Sequence, residues 1–349
     1  MNTEYLDLRH VSEDRLQTEL TRAAKILQGG GLVAFPTETV YGLGGDGTSD
    51  LSAQAIYAAK GRPSDNPLIL HVADPADAAR YAHTGPLYDK LAEHFMPGPL
   101  TVILPVKETV PKSVTAGLET VAIRCPIHPV ARGLIQAFGH AIAAPSANLS
   151  GSPSPTCGED VFADMNGRIP MIIDGGHCQI GLESTIVKIT GERSITLLRP
   201  GAITIHDLEQ LGLEITLSEA VLSAIAEGQT VESPGMKYRH YAPKTPFVLL
   251  EGDFISRQKY ISEQNMPVAV LCYSEEVETF AKIVGQAAVF DLGPKDDMLV
   301  QANRLFYLLR KSDLPAFSMI YGTVPPCEGM GLALYNRMIR AAAHSIIQL

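Results

Sequence analysis

Short apolar runs separated by turn residues recur through the first 212 residues of this 349-residue chain. Runs bounded by Gly, Pro, Asn and Asp predict buried strands. The predicted strands lie at 32–35, 67–72, 100–106, 121–124, 141–144, 171–174, 184–189 and 196–199. Apolar positions three and four residues apart predict helices at 14–28, 52–59, 86–95, 129–138 and 204–211. Several neighbouring strands leave no room for a crossover helix, which favours an α+β domain with a mixed, partly antiparallel sheet.

The pattern changes after residue 212. Residues 213–246 include ESPGMKYRHYAPKTP, whose prolines, glycine and clustered basic and aromatic residues disfavour a packed helix or strand. Beyond it, predicted strands lie at 247–250, 268–272, 287–292 and 317–321, with helices at 298–310 and 331–344. This alternation is typical of a small α/β domain with a largely parallel sheet.

The length agrees with a division into two domains. A single hydrophobic core stops growing at roughly 250–300 residues, and this chain has 349. We therefore expect a first domain at 1–212, a linker at 213–246 and a second domain at 247–349.

Composition narrows the function classes. The chain is 46% apolar and has a formal net charge of −10, so it lacks the positive charge that binds nucleic acid by bulk electrostatics. The N-terminus has no signal-peptide layout, and no stretch approaches the roughly 20 apolar residues of a membrane span. Five scattered cysteines without a Cys-x-x-Cys pair indicate reduced thiols. We expect a cytoplasmic protein that does not enter a membrane.

Gly42, Gly44 and Gly47 have the spacing of a dinucleotide-binding fingerprint. That fingerprint needs its glycines directly between a strand and a helix, with an acidic residue about 20 positions later. Here ETVY follows the preceding strand, and the later position lies in the apolar run PLILHV. The segment is therefore interpreted as a flexible turn. No Gly-Lys-Ser/Thr is present, which excludes a Walker-type phosphate loop.

Candidate anion-binding groups lie in four places along the chain. Lys60 and Arg62 stand beside Gly and Pro at the end of a predicted helix, which suits a polyphosphate or, alternatively, a solvated helix C-terminus. The run APSANLSGSPSPT from residue 144 offers hydroxyls and amides to an anion, or is an ordinary hydrophilic loop. Arg124 and Arg199 each end an apolar run close to a proline. Together the four cations favour a pocket for a multiply anionic ligand.

The sequence does not support a zinc enzyme or a hydrolase with a catalytic triad. His, Asp and Glu show no metal-ligand spacing, and there is no Gly-x-Ser-x-Gly elbow. We therefore expect neither a protein-held catalytic zinc nor a hydrolase triad.

Seven motifs carry a resemblance to a known family. They are PTETVYGLGGD (36–46), KGRPSDNPLILHV (60–72), PGPLTVIL (97–104), AIRCP (122–126), PSANLSG (145–151), ESTIV (183–187) and LLRPG (197–201). In this order they closely resemble the YrdC-like threonylcarbamoyl-AMP synthase family. The later motif SPGMKYRHYAP and the second α/β domain resemble the long, two-domain form of that enzyme.

The resemblance implies a twisted, mixed α+β sheet with a concave cavity and a small Rossmann-like second domain. It implies a nucleotidyltransferase that makes L-threonylcarbamoyladenylate from L-threonine, bicarbonate and ATP with release of pyrophosphate, the first step of threonylcarbamoyladenosine formation in tRNA. Mg²⁺ would be the cofactor, accompanying the ATP phosphates rather than a protein metal site. The product would pass to a tRNA threonylcarbamoyl transferase complex.

The resemblance also assigns residues. It implies that L-threonine is bound by Thr39, His71, Arg124, Ala144 and Ser184. It implies that ATP is bound by Lys60, Arg62, Asn66, Thr120, Ser146, Asn148, Ser154, Arg199 and Tyr241. Lys60 and Arg62 would be catalytic, because they would neutralise charge on the phosphoryl oxygens. Tyr241 would close over the nucleotide as part of a lid formed by the linker.

Other functions stay open at this point. A carbamoyl-adenylate former, as in hydrogenase maturation proteins, shares the fold but is expected to carry acylphosphatase and zinc-finger segments upstream. An RNA-binding module could use the concave basic surface for weak binding, although the net charge of −10 and the lack of stacking aromatic motifs disfavour it. A sensor of adenylate-type nucleotides is a third alternative.

Overall fold

The computed structural model describes residues 2–221 and 241–349. These residues divide into two compact units. The first comprises 2–150, 154–179 and 183–221, and the second comprises 151–153, 180–182 and 241–349.

A mixed sheet organises the first unit. Within the described residues it contains eleven strands in the order β1-β8-β2-β3-β7-β4-β6-β5-β9-β10-β11. Their bounds are β1 (Glu4–Asp7), β2 (Val33–Phe35), β3 (Gly42–Asp46), β4 (Ile69–His71), β5 (Leu100–Pro105), β6 (Thr120–Arg124), β7 (Ile142–Ala144), β8 (Met171–Asp174), β9 (Thr185–Ile189), β10 (Ser194–Arg199) and β11 (Glu214–Leu217). Parallel pairs such as β4 with β6 alternate with antiparallel pairs such as β6 with β5. The α+β fold with a mixed sheet is thereby confirmed.

Helices pack on both faces of this sheet. They are α1 (Glu13–Gln28), α2 (Asp50–Lys60), α3 (Pro86–Phe95), α4 (Lys112–Thr115), α5 (Pro129–Phe138), α6 (Gly158–Met165) and α7 (Ile205–Glu209). On one face, Ile56 of α2 and Leu91 of α3 join a core cluster with Leu70, Val102 and Ile123 of the sheet. These side chains alternate with their strand neighbours, as expected for half-buried strands.

The opposite face is covered only in part by α1 and α5. Leu20 of α1 and Leu134 of α5 pack in a second core cluster with Phe35 and Ile142 of the sheet. His71 pairs with Ile142 across β4 and β7, so His71 projects from this same face. Beyond it the face carries a small separate apolar cluster, formed by Ile69, Ile103, Ala122, Ile186 and Leu198.

The second unit is a smaller α/β structure. Its strands are β12 (Phe247–Glu251), β13 (Val268–Tyr273), β14 (Val289–Gly293), β15 (Met319–Thr323) and β16 (Ile346–Gln348). They pair in parallel in the order β14-β13-β15-β12-β16. The connecting helices are α8 (Phe254–Ser262), α9 (Val277–Val284), α10 (Met298–Lys311) and α11 (Met330–Ala341). The predicted small parallel α/β domain is confirmed.

The eight strands predicted for the first domain are all present, but three further strands were not predicted. β1 and β11 lie at the two edges of the sheet, where short, partly exposed strands give a weak apolar signal. β11 lies after residue 212, inside the predicted linker at 213–246, and pairs in parallel with β10. The first sheet therefore extends to Leu217.

The third unpredicted strand, β3, corrects the interpretation of Gly42, Gly44 and Gly47 as a flexible turn. Gly42 and Gly44 lie within a buried strand that pairs with β2 and β7, and Gly47 follows it directly. A Cβ at Gly44 would lie 2.8 Å from Ile142 Cγ2 and 2.8 Å from Phe35 Cε1. The glycines are needed because neighbouring side chains occupy the space of a Cβ, and composition alone does not reveal this crowding.

Gly44→Ala is expected to destabilise the first unit by about 1–3 kcal/mol, because the new methyl group overlaps two side chains that are themselves fixed in strands. Thermal unfolding measures the effect. Gly85→Ser is the control, since nothing lies within 4 Å of its added Cβ and serine suits this N-cap position of α3. A melting temperature for Gly44→Ala equal to that of wild type would contradict the close packing of β3.

Candidate active site

Polar residues of neighbouring strands form a buried row across the sheet face from which His71 projects. His71 at the end of β4 pairs with Arg124 at the end of β6, and Arg124 pairs with Thr101 of β5. Directly opposed residues project from the same face, so imidazole, guanidinium and hydroxyl lie in one row. Ser184, next to β9, extends it, since its Oγ lies 2.7 Å from Thr101 Oγ1. The row contains three of the predicted threonine-binding residues.

Arg124 is held by a buried carboxylate. Its NH2 group donates to Glu38 Oε1 at 2.7 Å, and the two residues are 4% and 2% exposed. Glu38 Oε2 and Arg124 Nε are both buried, and neither has a hydrogen-bond partner among residues 2–221 and 241–349. Removing one partner of a buried ion pair costs about 3–5 kcal/mol, so each residue fixes the charge of the other. The pair is nevertheless incomplete, because one acceptor and one donor are left over.

His71 is neutral beside this pair. Burial, with a smaller contribution from Arg124, lowers the pKa of His71 to about 3. Nδ1 lies 3.2 Å from the carbonyl oxygen of Ile69, which accepts a hydrogen bond when Nδ1 carries the proton. The ring packs edge-to-face against Phe35 with centroids 6.2 Å apart. His71 thus offers a neutral, oriented imidazole and adds no charge to the site.

The loop that carries Glu38 is tightly ordered. Thr37 Oγ1 donates to the carbonyl oxygen of Val40 at 2.6 Å and lies 2.9 Å from Thr39 Oγ1. At its end, the Tyr41 hydroxyl lies 2.7 Å from the carbonyl oxygen of Gly176 and 3.0 Å from Asp174 Oδ1, and its single proton is shared between these two acceptors. These bonds set the positions of Thr39 and Glu38 independently of any ligand.

Lys60 connects α2 to the loop at 145–150. Its ammonium donates to the carbonyl oxygens of Ser146 and Asn148 at 2.5 and 2.6 Å. Ser146 Oγ in turn donates to Asn148 Oδ1 at 2.5 Å. Lys60 is the last residue of α2 and only 2% exposed, so it is not a solvated helix C-terminus. It brings three predicted nucleotide-binding residues together.

Asn66 lies near Arg62, and its side-chain amide is buried without a hydrogen-bond partner among the described residues. Arg62 NH2 lies 3.4 Å from the carbonyl oxygen of Asn66 and 3.3 Å from that of Pro67. Asn66 is 1% exposed, yet within the described part of the chain neither its Oδ1 nor its Nδ2 has a hydrogen-bond partner. A buried group without a partner costs about 1–3 kcal/mol, so this amide is a strong candidate for a ligand contact.

Arg199 and Ser154 form hydrogen bonds with the adjacent residues Ser184 and Glu183, respectively. Arg199 donates from Nε to the carbonyl oxygen of Ser184 at 3.0 Å and from NH2 to Ser184 Oγ at 3.1 Å. Ser154 Oγ donates to Glu183 Oε1 at 2.6 Å. Ser184, predicted to bind threonine, is therefore hydrogen-bonded directly to Arg199, predicted to bind the nucleotide.

The remaining predicted residues are placed as follows. Thr120 begins β6 and shares its face with Arg124, four residues later. Ala144 ends β7 opposite Ile69 on that face. Tyr241 belongs to the second unit, where its ring centroid lies 5.0 Å from that of Phe306. The predicted lid lies mostly at 222–240, outside the described residues, so it stays a prediction.

Two carboxylates were missed by sequence reasoning. Glu38 lies within the quoted motif PTETVYG and Glu183 begins the motif ESTIV, but neither was selected. The available signal was a single acidic residue in an otherwise uncharged, apolar stretch, since an ionised group rarely enters a core without a partner. The sequence could not identify the partner of Glu38, because that partner, Arg124, lies 86 residues away in the chain.

The described residues meet neither the requirements of a metal site with three or more side-chain ligands nor those of a membrane-spanning helix. Over the ranges 2–221 and 241–349, no group of three or more His, Cys, Asp and Glu side chains is arranged to hold a metal ion. Among the described helices, none is long and apolar enough to cross a membrane.

Comparison with known proteins covers both units. Residues 25–201 match the Sua5, YciO and YrdC family model, described as telomere recombination, and residues 203–343 match a model described as the C-terminal domain of threonylcarbamoyl-AMP synthase. The Bacillus subtilis threonylcarbamoyl-AMP synthase is 41% identical over 345 residues, covering 96% of this chain and 97% of its own. The Pyrococcus abyssi synthase is 40% identical over 332 residues, covering 93% and 94%. A solved structure of P. abyssi Sua5 complexed with L-threonine is 38% identical, with a TM-score of 0.89 and coverage of 99% and 100%.

The chain belongs to the threonylcarbamoyl-AMP synthase family. The resemblance carried by the seven motifs is confirmed, and so is the long two-domain form, since the second family model matches as well. The hydrogen bonds among the predicted site residues of this synthase family member form two sets. The first is the row with Glu38, and the second joins Lys60 to the loop at 145–150. Arg199 reaches the first set through its bonds to Ser184.

The neutrality of His71 has a consequence for stability. Its folded pKa of about 3 lies below the value of about 6.5 in an unfolded chain, so the unfolded state takes up the proton first as pH falls. The free energy of unfolding should therefore decrease from about pH 6.5 downwards, by up to about 1.4 kcal/mol per pH unit. His71→Gln is expected to remove this contribution, giving a shallower slope between about pH 6.5 and 4.5 in urea unfolding.

His10→Gln, at an exposed position, is the control for loss of a histidine elsewhere. Parallel slopes for wild type and His71→Gln would mean that folding does not exclude the proton from His71.

Proposed function

We propose that this chain synthesises L-threonylcarbamoyladenylate from L-threonine, bicarbonate and ATP and releases pyrophosphate. Whole-length similarity to named threonylcarbamoyl-AMP synthases supports this function. The structural observation that carries this proposal is the direct hydrogen bond between Ser184 and Arg199. This hydrogen bond supports amino-acid and nucleotide subsites that are neighbours, as transfer of an adenylyl group between two bound molecules requires.

In the proposed threonine subsite, Arg124 binds the carboxylate. A guanidinium at the end of a buried strand suits this role, because a charge-assisted bond to a carboxylate is worth about 1.5–3 kcal/mol. Thr39, Ser184 and neutral His71 supply hydrogen-bonding groups for the threonine hydroxyl, and the backbone at Ala144 completes the subsite. The neutral imidazole matters, since a third charged group would disturb the balance between Arg124 and Glu38.

In the proposed nucleotide subsite, the cations neutralise phosphates and the small polar groups position them. Lys60 and Arg62 are assigned to the polyphosphate, with Arg199 near the reacting end. The other assigned residues contribute hydroxyl, amide or aromatic groups: Asn66, Thr120, Ser146, Asn148, Ser154 and Tyr241. The contacts of Lys60 with the loop at 145–150 give it a second task, since its charge also holds Ser146 and Asn148 in place.

The proposed reaction needs no covalent intermediate on the protein. The threonine amine forms a carbamate, and a carbamate oxygen attacks the α-phosphorus of ATP. The new P–O bond forms as the bond to pyrophosphate breaks. The residues act by holding two anionic reactants in line and by neutralising charge on the phosphoryl oxygens. Mg²⁺ on the phosphates would add further positive charge there.

We place this reaction in the cytoplasm, before a tRNA threonylcarbamoyl transferase that consumes the adenylate. All five cysteines are free thiols, four of them buried, which agrees with a reducing compartment. A mixed anhydride of carbamate and phosphate is labile in water, so prompt use by a transferase suits its chemistry.

The test measures pyrophosphate release from ATP in CO₂-depleted buffer, with L-threonine and bicarbonate added singly or together. We expect release only when both are present, and much less when serine replaces threonine. Release that needs no threonine would indicate a different adenylating reaction. Salt-dependent RNA binding by folded protein that releases no pyrophosphate would favour the RNA-binding alternative.

Asn66→Leu tests the nucleotide subsite. It removes the two amide atoms that have no hydrogen-bond partner among the described residues, so the free energy of unfolding without ligand should stay constant or rise by about 1 kcal/mol. The KM for ATP should rise at least about tenfold, because the nucleotide loses its contact with the amide. Asn166→Leu, at an exposed position, is the control. An unchanged KM for ATP would remove Asn66 from the site.

A further inference from the structure

Glu38 is a buried carboxyl group to which the family resemblance assigns no role. Oε1 accepts a hydrogen bond from Arg124 NH2 at 2.7 Å. Oε2 is also buried but finds no hydrogen-bond partner in the described ranges. The carboxylate therefore has an acceptor atom that its ion pair does not use.

Arg124 has a matching unused donor. Its Nε is buried and, over the same described ranges, has no partner. One ion pair thus leaves an unmet carboxylate oxygen and an unmet guanidinium N–H. Native proteins satisfy the large majority of buried polar groups, and unmet ones call for an explanation such as an absent ligand. The ligand that complements this pair carries a cationic donor and an anionic acceptor close together.

The zwitterion of an α-amino acid has these two groups on one carbon atom. We propose that Glu38 Oε2 accepts the α-ammonium group of L-threonine while Arg124 binds its carboxylate, and that Glu38 is the base that frees the amine for carbamate formation. This assignment rests on the proposed function, which supplies threonine and bicarbonate as substrates. A neutral ion pair binding a neutral zwitterion also leaves the buried charge balanced.

Other titratable groups near Glu38 are poorly suited to this step. Burial raises the pKa of the Cys125 thiol to about 12 and also raises that of Cys178, so both stay protonated. Burial lowers the pKa of His128, whose Nδ1 is used as the acceptor for the first turn of α5. The pKa of His71 is lowered to about 3, and its Nδ1 lies 3.2 Å from the carbonyl oxygen of Ile69. A carboxylate with a free oxygen is the better acceptor for an ammonium proton.

Carbamate formation at this site begins with a proton transfer. An N–H proton of the ammonium moves to Glu38 Oε2, leaving a neutral amine. The amine lone pair attacks the carbon of bicarbonate, and an N–C bond forms. The C–OH bond then breaks, and the hydroxyl leaves as water after taking a second N–H proton from the attacking nitrogen. Amine and bicarbonate thus give carbamate and water, and Glu38 later returns its proton to solvent. The carbamate is then ready to attack the α-phosphorus.

Glu38→Gln keeps the size of the side chain and removes its charge and basicity. We expect kcat for threonine- and bicarbonate-dependent pyrophosphate release to fall about 100-fold. The remaining rate should rise steadily with pH, as more threonine is present as free amine. The rate of ATP formation from threonylcarbamoyladenylate and pyrophosphate in a single turnover should fall at least about tenfold less than the forward rate, because that step needs no deprotonated ammonium.

Two variants serve as controls. Glu93→Gln, at an exposed position on α3, should match wild type in both directions. Glu38→Asp keeps the carboxylate and should recover at least about a tenth of the wild-type forward rate.

A second measurement uses the unaltered protein and does not depend on a variant that folds. Calorimetry compares the binding of L-threonine with that of 2,3-dihydroxybutanoate, in which a hydroxyl replaces the ammonium. We expect the analogue to bind at least about 30-fold more weakly, because Glu38 Oε2 loses a charge-assisted donor.

Equal losses in the forward and reverse reactions of Glu38→Gln, with a wild-type pH profile, would assign Glu38 a purely structural role and overturn the proposal. Equal binding of threonine and 2,3-dihydroxybutanoate would overturn it as well. A wild-type protein that releases no pyrophosphate in response to threonine and bicarbonate would instead overturn the proposed function on which the inference rests.

Discussion

The ion pair between Arg124 and Glu38 is the constraint around which the candidate site is built. An arginine at the end of a buried strand needs a nearby anion, and Glu38 supplies it at 2.7 Å from an ordered loop. This requirement links β6 to the segment after β2, because loss of either partner leaves a buried charge without compensation. It also keeps the local net charge at zero beside a neutral His71.

The rest of the site depends on similar polar connections between distant segments. Lys60 joins the end of α2 to the loop at 145–150, and Tyr41 joins the segment after β2 to Asp174 and the residues beyond it. Such bonds order loops that would otherwise be mobile, and they do so before any ligand binds. A reaction between two anionic molecules gains from this preorganisation, because the positioning groups need not rearrange during the reaction.

Much of the fold follows from local patterns in the chain. Apolar runs such as those around Ile69 and Val102 predict buried strands, and the spacing in α1 predicts an amphipathic helix, because burial of one face is a local property of the sequence. Edge strand β11 was missed since its residues are largely exposed. Strand β3 was misinterpreted as a turn since its glycines are required by side chains from β2 and β7, which only pairing brings near.

The same distinction applies to the site. By itself the sequence determined the family, the two-domain order and the residue types that could bind anions, because motifs such as PSANLSG and AIRCP are contiguous. Only the tertiary structure decided that Lys60 is buried against the loop at 145–150, that His71 is neutral, and that Glu38 is the partner of Arg124. These properties depend on desolvation and on contacts between segments far apart in the chain, and neither can be read from neighbouring residues.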